Sequence, residues 1–150
     1  MSQSEYGVIE AGAVDQWVDE ADVVIIGLGC AGVCAAIEAR EAGADVLVLE
    51  RASGGGGVTA LAAGHLYMGG GTRVQKAVGV EDTADDMYTY LLMNTPDPDE
   101  EKIRLYCDQS VDHFDWLVER GVPFNDTMCK GKEVLQMTDE CLIWSGNEEV

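Results

Sequence analysis

Three glycines and one carboxylate carry the clearest chemistry in this chain. Residues 22–32 read DVVIIGLGCAG, so Gly27, Gly29 and Gly32 form G-x-G-x-x-G, and Glu50 closes a second apolar run, VLVLE. Each part has a job in binding a dinucleotide. Gly27 lets the chain turn sharply, Gly29 lets a pyrophosphate approach the backbone, and Gly32 permits close helix–strand packing. Glu50, about 20 residues past the glycines, is placed to accept hydrogen bonds from ribose hydroxyls.

These residues need a strand, a helix and a strand to hold them. Val23, Val24, Ile25 and Ile26 are β-branched and apolar on both faces, as in a central parallel strand covered by helices on either side. A helix is expected over residues 31–42, its free N–H groups and positive dipole end facing the phosphate. Ala35, Ala36 and Ala39 keep it slim against the sheet, and Gly43 lies where a terminating glycine belongs. Residues 46–49 give the second strand. A plain βαβ unit with incidental glycines is the alternative, but strand, glycines, helix and acid agree. Cys30 and Cys34 read as small buried filler rather than a redox or metal pair.

A second glycine-rich stretch follows the acid. Residues 51–65 read RASGGGGVTALAAGH, and Gly69, Gly70, Gly71 and Thr72 come soon after. Such backbone can lie along a flat polar ligand: the pyrophosphate, the ribityl chain and one ring edge of a flavin dinucleotide. A floppy low-complexity loop is the rival reading. The regular small and apolar residues from Thr59 to Ala63 argue for order.

Glu50-Arg51 followed by GGVTALAAG resembles the second FAD signature of the fumarate reductase/succinate dehydrogenase flavoprotein superfamily. Within it, ADVVIIGLGCAGVCAAIEAREAGADVLVLER, TALAAGHLYMGGGTRVQKAVGVEDT and DEEKIRLYCDQSVDHFDWLVERGVPF resemble the FAD-dependent 3-ketosteroid dehydrogenases, the 4,5-bond branch above the 1,2-dehydrogenases. The resemblance implies an α/β fold: a Rossmann-like βαβ unit with a parallel sheet, as the N-terminal part of a larger two-domain flavoprotein. It implies cofactor contacts from Gly27, Gly29, Cys30, Ala31 and Gly32 at the phosphate turn. Glu50 would serve the ribose, with Arg51 near the adenosine and Ser53 a further cofactor contact. Gly56, Gly57, Val58, Thr59, Ala62, Ala63 and Gly64 would lie beside the ribityl chain and flavin. Val58 stands where flavinylated relatives place a histidine, so FAD is expected non-covalent. His65 replaces a frequent second glycine and is read as packing. The resemblance places the main catalytic tyrosines beyond Val150, so no catalytic residue is assigned.

At 150 residues the chain could make one ordinary domain. The resembling family is several times longer. Residues 1–20 are therefore expected as an N-terminal extension, and 21–150 as the first part of the FAD domain, ending near an absent substrate-capping domain. The remainder would lie in the same chain or on another.

The net charge is -19, from 28 acids against 9 bases, which argues against nucleic acid and anionic membranes as partners. The acidic clusters read as solvated helix faces. No apolar run approaches the roughly 18 residues of a membrane span, and the acidic start lacks the features of a signal peptide. Five cysteines without C-x-x-C or zinc spacing fit reduced thiols in the cytoplasm, and no metal is expected.

Two helices are expected in the second half. Thr83 caps the first, with Asp86 three residues on. Asp97 caps a longer one, with Pro98 at its first position and Glu100 completing a capping box. Ile103, Tyr106, Cys107, Phe114, Leu117 and Val118 form its core stripe, and Gly121 and Pro123 stop it. Tyr67, Tyr88, Tyr90 and Tyr106 are candidate phenolic acids or bases, with nothing local to single one out. Past Asn125 the pattern fades, with Trp144, Ser145 and Gly146 read as a loop.

The implied activity is oxidation of a C–C bond beside a ketone, or its reverse, on an apolar ketone such as a 3-ketosteroid, with an external electron acceptor. The rivals are a fumarate-reductase-like enzyme, which would need cations to clamp carboxylates, a non-catalytic FAD-binding piece needing a partner chain, and a nicotinamide-binding module. Arg73 and Lys76 do not decide among them.

Overall fold

The computed structural model describes residues 10–62, 64–129 and 142–143. It divides into two compact units, Met1–Ala63 and Gly64–Val150.

The first unit is the expected βαβ. Strand β1 (Val23–Ile26) pairs in parallel with β2 (Val46–Leu49), Val23 opposite Val46 and Ile26 opposite Leu49. Helix α1 (Cys30–Glu41) joins them and packs on both strands. Its end is fixed by backbone bonds around Gly43, whose φ is +91°. The Gly43 N–H donates to the Arg40 carbonyl and the Ala44 N–H to the Ala39 carbonyl, each at 3.0 Å, the Schellman arrangement. Asp22 sets the register by accepting the Asp45 N–H at 2.8 Å. One expectation fails. Burial along β1 alternates, and Val24 and Ile26 are 53% and 87% exposed. Among the described residues of this unit, α1 packs on the sheet and no other element covers its second face. A short 3-10 helix, Gly57–Leu61, gives order to the second glycine stretch.

Among its described residues the second unit holds four helices where two are expected. The additional one, α2 (Arg73–Ala77), starts at a capping box between Thr72 and Gln75. Helix α3 (Ala84–Asn94) is capped by Thr83 with Asp86, as expected. The long helix is corrected in two ways. It starts at Glu100, capped by Asp99 rather than Asp97, with the Asp99 carboxylate accepting the Lys102 N–H at 3.1 Å. Asp97 instead takes φ +51°, a left-handed turn conformation that Asp tolerates better than most residues and that keeps Pro98 outside the helix. At Gln109 the helix divides into α4 (Glu100–Asp108) and α5 (Ser110–Glu119). Gly121, at φ +86°, ends α5 with Gly121 and Val122 N–H groups on the Val118 and Leu117 carbonyls.

Among the described residues of this unit, Val74, Met87, Cys107 and Phe114 are the buried apolar ones, and Phe114 packs on Phe124 with ring centroids 4.8 Å apart. Tyr106 departs from the expected core stripe and is exposed. Arg104 ties α4 to α3, pairing with Asp85 at 2.8 Å and with Asp108 while its guanidinium lies 4.7 Å from the Tyr88 ring centroid. Beyond Asn125, Met128 forms a parallel bridge with Leu142. The expected loop at Trp144, Ser145 and Gly146 lies outside the described residues.

Candidate functional site

The first unit brings the two glycine stretches together through backbone. Gly27 turns the chain at φ +100° while its N–H still reaches the Leu49 carbonyl at 2.7 Å. Gly32 packs so close to this turn that an added Cβ would stand 2.0 Å from the Gly27 carbonyl oxygen. No side chain fits there. The turn and the start of α1 are thereby held against β1.

The second stretch folds onto this turn. The Gly56 N–H donates to the Leu28 carbonyl at 2.7 Å. The Cys30 N–H, at the first position of α1, donates to Thr59 Oγ1 at 3.1 Å. Gly56 at φ +114° and Gly57 at φ +51° occupy conformations that favour glycine. A Cβ built on Gly29 would meet nothing nearer than the Gly56 carbonyl oxygen and Thr59 Oγ1, both at 3.8 Å. The space above Gly29 is a small cradle that a Cβ would occupy in ordinary contact with those two atoms. It lies at the N-terminal end of α1, which has no acidic residue in its first turn, so its field favours an anion.

Glu50 sits at the joint. Its Oε2 accepts the Leu28 N–H and its Oε1 the Ala52 N–H, both at 2.8 Å. The Ala52 and Leu28 N–H groups hold its carboxyl below the usual glutamate range. A carboxylate offers about four acceptor sites, so capacity remains for hydroxyl donors.

The other expected residues are placed as follows. Ala31 is exposed beside Cys30, and Cys30 is exposed too, which corrects its reading as buried filler. It opens α1 at the edge of the cradle rather than facing the sheet; Cys34, one turn on, is half-buried. Arg51, Ser53, Val58 and Ala62 are exposed. Ala63 lies outside the described residues. Gly64, at φ +83°, begins the second unit. His65 is exposed, contrary to a packing role. Among the described residues no group of His, Cys, Asp and Glu could hold a metal, and no helix is long and apolar enough to cross a membrane.

Leu28 and Ala52 were not marked by the sequence because they contribute only backbone. The second unit has a polar hub that was also missed. Gln75 Oε1 accepts the Gly71 and Thr72 N–H groups at 3.0 and 2.9 Å, its Nε2 donates to Asp82 at 2.6 Å, and Asp82 accepts the Gly70 N–H at 2.7 Å. Ser110 Oγ accepts the Gly69 N–H at 3.0 Å. T-x-x-Q after a glycine run is a capping-box signal that could have revealed part of it. Of the candidate tyrosines, Tyr106 donates its hydroxyl to the Tyr67 carbonyl, and partial desolvation of this half-exposed side chain pushes its phenol up, away from a base suited to neutral pH.

Comparison with known proteins gives the family. A family profile described as an FAD binding domain matches residues 22–140. The chain is 40% identical over 147 residues to a 3-oxo-5-alpha-steroid 4-dehydrogenase of Comamonas testosteroni, covering 95% of this chain and 27% of that protein. It is 33% identical over 116 residues to a fumarate reductase (cytochrome) of Shewanella frigidimarina, covering 75% of this chain and 20% of that protein. The crystal structure of a 3-ketosteroid-delta4-(5alpha)-dehydrogenase from Rhodococcus jostii RHA1, in complex with 4-androstene-3,17-dione, superimposes with a TM-score of 0.86 at 51% identity. That match covers 91% of this chain and 28% of the solved one. The chain thus spans about a quarter of the length of these proteins.

Proposed function

Because this chain belongs to the FAD binding domain family, we propose that it forms the dinucleotide-holding part of an oxidoreductase acting on a CH–CH bond next to a ketone, with a 3-ketosteroid as substrate. FAD is the cofactor of the family, and when bound it supplies the two-electron acceptor for a hydride. The observation that carries the reading is the cradle above Gly29, built jointly by the phosphate turn and by Gly56 and Thr59.

In this reading, Gly27, Gly29, Cys30, Ala31 and Gly32 present backbone to the pyrophosphate, with the α1 dipole behind them. Gly56, Gly57 and Thr59 close the other side of the pyrophosphate. Val58 and Ala62 continue along the ribityl chain toward the flavin. Glu50 accepts the ribose hydroxyls, Arg51 flanks the adenosine, and Ser53 adds a further contact to the cofactor. The proton beside the ketone leaves to a base, and the hydride leaves from the neighbouring carbon. We assign that base to no residue of this chain. Substrate closure and electron transfer to an external acceptor would involve the rest of the flavoprotein, on this polypeptide or another. We place the protein in the cytoplasm, on its cysteine usage.

Support for the steroid comes from the 40% and 51% identities to steroid dehydrogenases, against 33% to the fumarate reductase. The test is the full gene product, purified and assayed with a dye acceptor on a saturated 3-ketosteroid, and separately as a reductase on fumarate. A yellow protein that oxidises the ketosteroid is expected. Turnover of fumarate alone would replace the substrate assignment, and a colourless protein that refuses added FAD would remove the cofactor.

A further inference from the structure

Glu50 uses both carboxylate oxygens on the protein's own backbone. Oε2 takes the Leu28 N–H inside the phosphate turn, and Oε1 takes the Ala52 N–H where the second glycine stretch begins, each at 2.8 Å. The Leu28 peptide is held from its other side as well, its carbonyl accepting the Gly56 N–H at 2.7 Å. A carboxylate serving ribose alone would not need these ties.

We propose that Glu50 is a positioning residue that builds the pyrophosphate cradle before the cofactor arrives, by clamping the turn at Leu28 to the glycine stretch at Ala52. This rests on the reading of the turn as an FAD pyrophosphate site. Both glycine stretches are intrinsically loose, since glycine loses more backbone freedom on ordering than any other residue. Without a clamp, FAD would have to order them on binding, at the expense of its affinity. The Glu50 carboxylate accepts two backbone N–H groups at once while keeping lone pairs for hydroxyl donors. Its lowered pKa keeps it charged, which strengthens both bonds.

Glu50→Gln preserves the shape but leaves one acceptor oxygen and turns an NH2 donor toward the other backbone N–H. The full gene product, wild type and E50Q, would be stripped of FAD and followed by hydrogen exchange of peptides containing Leu28 and Ala52. Affinity would be measured for FAD and for an FAD analogue with a 2′,3′-dideoxyribose in its adenosine half. Exchange at one of the two amides is expected to quicken on the order of 10-fold, as for loss of a charged hydrogen bond. The variant's loss of affinity is expected to persist, at roughly 5-fold or more, for the dideoxy analogue. If the loss vanishes with the analogue, Glu50 serves the ribose only and the proposal is overturned. Unchanged exchange overturns it equally. Should wild type bind neither ligand, the FAD reading fails, while the exchange comparison still judges the clamp. If E50Q does not fold, Glu50→Asp, one methylene shorter and unable to span both amides, is put through the same two measurements with the same expectations.

Discussion

Replacing Gly32 with alanine tests the close approach on which the cradle depends. The new Cβ would stand 2.0 Å from the Gly27 carbonyl oxygen, 3.1 Å from its carbon and 3.4 Å from Ile25 Cγ2. The first two neighbours are backbone, so no rotamer change relieves the contact. An ordinary C···O approach is about 3.3 Å, so the start of α1 must retreat from the turn by about 1.3 Å. Overpacking against backbone puts the stability cost near the top of the usual range, about 3 kcal/mol. The same retreat carries the first-turn N–H groups beyond hydrogen-bond distance from a phosphate held by the rest of the turn. Losing one charge-assisted bond costs about 1.5–3 kcal/mol, or roughly 10- to 150-fold in FAD affinity. Gly43→Ala is the control: its φ is +91° but nothing lies within 4 Å of the added Cβ. It should cost about 1–2 kcal/mol in backbone strain and leave FAD affinity alone. Fluorescence titration with FAD and denaturant unfolding of both variants provide the readout. G32A binding FAD within threefold of wild type, with an unchanged denaturation midpoint, would refute the close-packing argument.

Gln75 is 1% exposed and accepts from both Gly71 and Thr72, so Gln75→Leu strands two buried N–H donors and should destabilise the protein by about 2–5 kcal/mol; urea unfolding monitored by aromatic fluorescence checks this, and a loss under 1 kcal/mol would contradict it. Thr59→Val removes the hydroxyl facing the Cys30 N–H and should weaken FAD by on the order of 10-fold, with Thr59→Ser restoring most of it; equal affinities for the three proteins in an FAD titration would count against a Thr59 role. Glu50 has a pKa held below its ordinary value by the Ala52 and Leu28 N–H groups. Its ties are therefore fully present above the ordinary glutamate pKa and are lost as pH falls through the lowered one. Exchange of the Leu28 peptide, corrected for intrinsic rates, should keep its protection down to that lower range in wild type and show no such step in E50Q. A step at or above the ordinary glutamate pKa would sink the assignment.

Elements governed by near neighbours are legible in the order of the residues alone. β-branched runs specify β1 and β2, Gly43 and Gly121 stop their helices because a left-handed residue frees two N–H groups for the last carbonyls, and Thr83 with Asp86 caps α3. The dinucleotide fingerprint was legible in part for the same reason: Gly27 and Gly32 answer constraints within a few residues of themselves. The structure alone decided what distant segments do to one another. Glu50 reaches Leu28 across 22 positions, Thr59 reaches Cys30 across 29, and Ser110 reaches Gly69 across 41. None of these leaves a local pattern, because one partner in each is a bare backbone N–H that every residue but proline carries. The division of the long helix at Gln109 and the shift of its cap from Asp97 to Asp99 belong here too. Several acids could cap that helix, and it is the path of the turn from α3 that selects among them.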